Sequence, residues 1–245
     1  MQQHYARIYL LSHMRAFTSL AGHILGSHPH VSGYFEMHLS YEDRNALDAQ
    51  LTVFQQYESL TADTRYIFDK LLHDDYRLHP EVLSAAPSKI LVSLLAPEQT
   101  LASIVDLFSR KEGEHPYASP SAATDYYIRR LETLAEFCAT ADIPYYYYDA
   151  EMFQADPETL LPGMSRWLEL EPVLSEHYQV FSQTGKAGKG DSSRYIHSGR
   201  IDRTPIDYSH IDIPDSELAR ATETYRACRA GIIAAAADTI LRPSA

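Results

Sequence analysis

Tyr5-Ala-Arg-Ile-Tyr-Leu-Leu-Ser12 runs straight into His13-Met-Arg-Ala-Phe-Thr-Ser19 and then into Leu20-Ala-Gly-His-Ile-Leu-Gly26. The first piece is an apolar run of strand length, the last reads as a helix, and a short polar loop joins them. A helix entered this way starts with N–H groups that have no partner inside the helix, at the positive end of its dipole. Arg15 and the hydroxyls of Thr18 and Ser19 stand at that start, so the stretch predicts a seat for a phosphate or sulfate. The same hydroxyls also fit plain helix capping. The spaced glycines and Gly-Lys-Ser/Thr ending of a triphosphate loop are missing, which argues against a nucleoside triphosphatase.

Outward from this unit, strands and helices alternate. Val31-Ser-Gly-Tyr-Phe35 follows the turn signal Ser27-His-Pro-His30 and reads as a short strand, with Glu36 where it ends. Between about 41 and 86 the spacing predicts a helical insertion: Leu47, Leu51, Phe54 and Tyr57, then Tyr66, Ile67 and Leu71, followed by a polar connector from His73 to Ala86. Lys89-Ile-Leu-Val-Ser-Leu-Leu95 is an apolar run of the kind buried in a parallel sheet, and Pro97 opens the next helix. A long helix over 122–141 leads to the strand Ile143-Pro-Tyr-Tyr-Tyr-Tyr148, whose tyrosines read as strand filler with one face packed and the other showing. Asp156-Pro-Glu158 starts a further helix. Residues 180–214 carry Gly, Ser, Lys and Arg without apolar periodicity and read as a long functional loop, before a closing helix over 216–241.

This order predicts an α/β fold with a parallel central sheet flanked by helices, one domain over 1–245, and ligands at the carboxyl ends of the strands. With 245 residues and 45% hydrophobic content, a sizeable core is within reach. Cys138 and Cys228 offer neither a disulfide framework nor a cysteine-rich metal site, which suits a cytoplasmic setting. The longest apolar stretch, Ala230 to Ala237, is too short to span a bilayer, and the first residues do not resemble a secretory signal. A net charge of −12 without a basic stripe argues against nucleic acid as a partner. It leaves room for a small anion, because the loop Thr184-Gly-Lys-Ala-Gly-Lys-Gly-Asp191 is locally positive. His23, His28, His30 and His38 straddle a helix end, a turn and a strand, a spacing that does not suit a shared metal.

Four segments, in this order, resemble the sulfotransferase family, which moves a sulfuryl group from 3′-phosphoadenosine 5′-phosphosulfate (PAPS) to an acceptor. Arg15-Ala-Phe-Thr-Ser19 lies where the family has its 5′-phosphosulfate loop. Ser27-His-Pro-His-Val31, ending at Glu36, is similar to the family's His-Pro segment, strand and glutamate. Leu95-Ala-Pro97 to Ser103 matches the segment that grips the 3′-phosphate. Tyr145 to Leu170, with Gly185 to Asp191 and Ser198-Gly-Arg-Ile201, resembles the later strand, turn, helix and glycine-rich loop.

The resemblance implies a sulfotransferase-like sheet of the nucleotide-binding type, PAPS as co-substrate, no metal, and a small-molecule acceptor offering a hydroxyl or amine. It assigns Arg15, Ala16, Phe17, Thr18, Ser19 and Ser103 to the nucleotide, together with Lys186, Gly188, Lys189 and Gly190 of the late loop. Glu36 is the implied base and Arg15 the charge-stabilising cation, while His38 is a second base by its chemistry. The chain departs from the family twice. Leu95 and Ala96 replace the 3′-phosphate arginine and its acidic neighbour, which removes a charge-assisted fork. Phe17 replaces a glycine; if that site needs a left-handed backbone, a phenylalanine there is strained and its ring crowds the anion. Two other readings stay open: an enzyme of this fold acting on another anionic small molecule, and a non-catalytic anion-binding protein.

Overall fold

The computed structural model describes residues 5–186 and 194–242. In chain order the elements are β1 (Ala6–Leu11), α1 (Thr18–Gly26), β2 (Val31–Ser32), α2 (Asn45–Gln55), β3 (Tyr66–Leu71), α3 (Pro80–Ala85), β4 (Ser88–Leu94) and α4 (Pro97–Ser109). After them come α5 (Pro120–Thr140), β5 (Tyr145–Asp149), α6 (Met152–Ala155), α7 (Pro157–Leu168), α8 (Asp215–Ala235) and β6 (Asp238–Ile240). The expected start signals act as read: Pro97 opens α4, and the Asp156 side chain accepts from Thr159 N–H at the start of α7.

All pairings are parallel in a six-stranded sheet of order β2-β3-β1-β4-β5-β6. The chain builds outward from β1 to β2, returns to place β3 beside β1, then crosses to β4 on the other side. The strand order therefore reverses at β1, and the carboxyl ends of β3, β1 and β4 bound the crevice where such sheets bind ligands.

Both faces of the sheet are covered. Tyr9, Leu11, Ile90, Val92, Tyr145 and Tyr147 pack toward α4, α5 and α8. Ile8, Leu10, Phe68, Leu91, Tyr146 and Tyr148 pack toward α1, α6 and α7. The tyrosine run is thus buried on both faces, against the expectation that one face would show, because β5 lies inside the sheet with β6 beyond it.

Three boundaries differ from the sequence reading. The stretch expected to be helical up to residue 72 is a helix only over Asn45–Gln55, and Tyr66–Leu71 is a strand between β2 and β1. A strand buried on both faces has no alternation to reveal it, and the charged pair Asp69-Lys70 disguised its apolar run. The strand expected over 31–35 stops at Ser32, since Gly33 has φ +113° and a Cβ there would lie 2.4 Å from Phe68 O. The closing helix ends at Ala235, and the residues after it add β6 to the sheet edge.

Helix α5 fixes the carboxyl ends of the inner strands. Buried Arg130 donates from Nε to Ser12 O at 2.9 Å, from Nη2 to Leu71 O at 2.6 Å and from Nη1 to Asp74 Oδ1 at 3.0 Å. One turn earlier, Tyr126 donates to Leu72 O at 2.7 Å and accepts from Met14 N–H at 2.8 Å. The two side chains tie the exits of β1 and β3 to one helix face.

Candidate functional site

A cavity of about 540 Å³ opens over these strand ends. Its floor is the loop after β1, in which Arg15 and Phe17 both take left-handed backbone, φ 66° and 53°. Phe17 is the residue before α1 and gives no side-chain cap, so Thr18 and Ser19 open the helix at the cavity wall. Behind the loop, buried His13 donates from Nδ1 to Met14 O at 2.9 Å and accepts Leu95 N–H on Nε2 at 3.0 Å. That bonding requires a neutral ring, and burial holds its pKa down to about 4.

Glu36 follows β2 and lines the cavity with only 5% of its surface exposed. Its Oε2 accepts from His38 Nε2 at 3.2 Å, and its Oε1 lies 3.8 Å from Lys70 Nζ. Burial alone would raise its pKa, but the His38 hydrogen bond and the charges of Lys70 and His73 outweigh it and hold the carboxyl below its ordinary value. Lys70, at the end of β3, is itself buried, and its Nζ reaches Ser19 Oγ at 3.3 Å. The ammonium thus links the carboxylate to the start of α1. His73 also lines the cavity, with its pKa lowered chiefly by burial and raised in part by Glu36. Asp69 holds this side in place: it accepts from Met37 N–H at 3.1 Å and from Tyr41 OH at 2.6 Å.

On the opposite wall, Arg15 Nε donates to Ser103 Oγ of α4 at 2.8 Å, and Tyr208 OH donates to the same oxygen at 2.8 Å. Tyr208 belongs to the long segment between α7 and α8, which crosses α4 and is also held by His210 Nε2 and Asp106 Oδ1 at 3.1 Å. Leu95 is 1% exposed and packs with Ala16 and Ala150, with the Phe17 ring against them. Where the family resemblance looks for a phosphate-binding arginine, this chain therefore has a closed apolar cluster. Glu151 lies behind it, accepting Ala96 N–H at 3.0 Å, with its pKa raised by burial.

Of the residues expected at the site, Arg15, Phe17, Thr18, Ser19, Glu36, His38 and Ser103 meet at this cavity. Ala16 is buried beneath the loop. Gly185, with φ 75° and room for no Cβ beside His197 Nε2, lines the cavity, whereas neighbouring Lys186 is exposed and does not. Gly188, Lys189 and Gly190 lie outside the described residues. Sequence reasoning missed Lys70, His73 and Tyr208. An Asp-Lys pair closing the apolar run Tyr66-Ile-Phe, with a histidine three residues on, was the available signal for the first two. Among the described residues, no three His, Cys, Asp or Glu side chains converge as metal ligands, and no helix is long and apolar enough to cross a membrane.

The architecture matches a solved structure, the sulfotransferase domain from the curacin biosynthetic pathway, with a TM-score of 0.54 at 16% identity over 92% of this chain and 99% of that one. The sulfotransferase domain from the Synechococcus PCC 7002 olefin synthase aligns with a TM-score of 0.48 at 15% identity, covering 92% of this chain and 97% of that one. No protein-family model and no curated protein sequence matches the chain. The chain has the sulfotransferase fold, in a divergent form.

Proposed function

We propose that this protein transfers a sulfuryl group from PAPS to a hydroxyl or amine of a small-molecule acceptor, in the cytoplasm. One observation carries the reading: the buried Lys70 ammonium stands between Ser19 Oγ of the anion loop and the Glu36 carboxylate, in a cavity at the sheet's reversal point. A cation shared between an anion seat and a base is what group transfer to a nucleophile requires.

Arg15, Thr18, Ser19 and the start of α1 fit an oxyanion and would hold the phosphosulfate. When bound, that group supplies the electrophilic sulfur and a phosphate leaving group. Arg15 and Lys70 offset the negative charge gathering on the oxygens, as cations do in phosphoryl transfer. The acceptor's proton goes to the Glu36 and His73 pair. His73 is held neutral by burial and can take it, while Glu36, held as an anion, stabilises the resulting imidazolium. His38 fixes Glu36 through its 3.2 Å hydrogen bond.

The buried Leu95 cluster favours a second reading, an enzyme of this fold that uses another anionic small molecule with no 3′-phosphate. Calorimetry with adenosine 3′,5′-bisphosphate, together with release of that product from PAPS over a panel of alcohols and amines, separates the two. Sulfuryl transfer requires binding and turnover, with Glu36→Gln losing turnover while keeping affinity. No binding at millimolar ligand would leave the second reading. Unchanged turnover in both Glu36→Gln and His73→Asn would remove the proton acceptor assigned here.

A further inference from the structure

Charge is unevenly placed around the 540 Å³ cavity. Glu36 lines it as a buried anion whose charge acts on His73. Lys111 lines it at the solvent-exposed rim, just past the end of α4, and pairs with no carboxylate among the described residues. Its ammonium turns back over the Phe108 ring, 4.1 Å from the centroid, while His115 stacks on the same ring at 4.0 Å without lining the cavity. The cavity face of Phe108 therefore carries the ammonium. A lysine after a helix end also suits the helix dipole, but the dipole does not require it to bend onto an aromatic face.

Between His73 and Lys111 the wall is apolar, formed by Met14, Leu72, Leu107 and Phe108. Tyr126 ties two of these together through Leu72 O and Met14 N–H. Behind the wall the rings of His73, Tyr126, Tyr117 and Phe108 follow one another at centroid distances of 5.8, 5.3 and 5.3 Å. That chain of contacts sets Lys111 at the far end of an apolar wall from the proton acceptor.

We propose that the acceptor is an amphipathic acid, a hydroxyl or amine joined by an apolar body to a carboxylate, and that Lys111 is the residue that selects it. The inference rests on the reading of the cavity as a site of sulfuryl transfer. Arg15 serves the donor and Lys70 serves Glu36, which leaves Lys111 as the cation facing the acceptor. The fixed charges also set the direction of binding. Glu36 repels a carboxylate from the reacting end, Lys111 attracts it to the rim, and the hydroxyl or amine is delivered to His73. The apolar body covers Met14, Leu72 and Leu107, removing their surface from water. The carboxylate takes no part in the reaction and only positions the molecule.

Calorimetric titration with 6-hydroxyhexanoate, 8-hydroxyoctanoate and 12-hydroxydodecanoate, each against the alkanediol of the same length, reads the selection without turnover. At the length that spans the wall, the acid binds about tenfold or more tighter than its diol, as one charge-assisted hydrogen bond provides. Lys111→Met keeps a stem over Phe108 and abolishes the preference, and Lys111→Glu moves it to the matching amino alcohol. Turnover of the same acceptors with PAPS, followed by release of adenosine 3′,5′-bisphosphate, shows the preference in KM with kcat nearly level. Equal binding of acid and diol by wild type, or a preference for the acid that survives in Lys111→Met, overturns the proposal, and diol turnover with PAPS in that case leaves sulfuryl transfer standing. No binding of any member at millimolar concentration overturns it as well. Lys111-dependent binding of the acid without turnover supports the acid-selective wall and overturns sulfuryl transfer instead.

Discussion

Lys70 Nζ lies 3.8 Å from Glu36 Oε1, and both side chains are almost wholly buried. Neither charge is tolerable alone at that depth, since an unpaired buried ion costs several kcal/mol. The strand order explains the meeting. β2 pairs with the first two residues of β3, and the chain after it continues alongside β3 as far as the Met37–Asp69 hydrogen bond, so Glu36 and Lys70 share a wall of the crevice.

Lys70→Met leaves Glu36 with His38 as its hydrogen-bonding partner and lowers stability by about 3 kcal/mol. Glu36→Gln added to it restores part of that loss, because the uncompensated carboxylate is gone. Urea denaturation of the two single variants and the double variant gives the coupling. A double variant as unstable as the sum of the singles would show that the two charges do not interact.

Phe17 combines a left-handed backbone with a ring packed against the Leu95 cluster. Phe17→Gly gives up the packing but relieves the backbone, whereas Phe17→Ala gives up the packing and keeps the strain. The glycine variant is therefore the more stable of the two by about 1 kcal/mol. Equal melting temperatures would place no strain at this position. Sulfate binding should tighten in both, because the ring lines the cavity beside Thr18.

The sequence revealed the sheet where a strand keeps an uncharged run at its centre and concealed it where charge breaks that run. β1 and β4 read directly, because no charge interrupts the runs over 8–11 and 90–94. β3 was hidden by Asp69 and Lys70, whose burial is stabilised by partners 32 or more residues away, Met37 N–H for one and Glu36 for the other. With β3 taken as helix, Lys70 and His73 had no reason to face the anion loop. Arg15, Glu36 and Ser103 were legible through motif order. The contact between Arg15 and Ser103 was not, because it spans 88 residues and depends on β4 lying beside β1. Tyr208 gave no local sign, since a loop residue acquires its role only from what the loop crosses.

Arg130 joins the exits of β1 and β3 through three hydrogen bonds. Arg130→Met strands the carbonyls of Ser12 and Leu71 and the Asp74 carboxylate, at a cost of about 3 kcal/mol. Arg130→Lys recovers little, because one ammonium cannot reproduce the planar fork. Sulfate affinity falls with stability in both variants if the strand exits set the anion loop. A fully stable Arg130→Met protein would show that Tyr126 alone holds them.

His13 and Asp69 give stability opposite slopes with pH. The folded chain keeps His13 neutral down to about pH 4, whereas the unfolded chain protonates it near 6.5, so its contribution is full above that value and is lost as pH falls through the window. Burial raises the Asp69 pKa to about 7, so its contribution is present at low pH and is lost as pH rises from the ordinary carboxylate range through 7. Each effect is on the order of 3 kcal/mol, and over the shared window they largely cancel. Asp69→Asn should therefore turn the nearly level wild-type profile into a rise from pH 4 to 6.5, and His13→Gln should turn it into a fall toward pH 7. Urea midpoints across this range test both, and parallel profiles in the three proteins would mean that neither group changes its proton affinity on folding. His13 supports Leu95 N–H and Asp69 supports Met37 N–H, so the two groups hold opposite walls of the cavity.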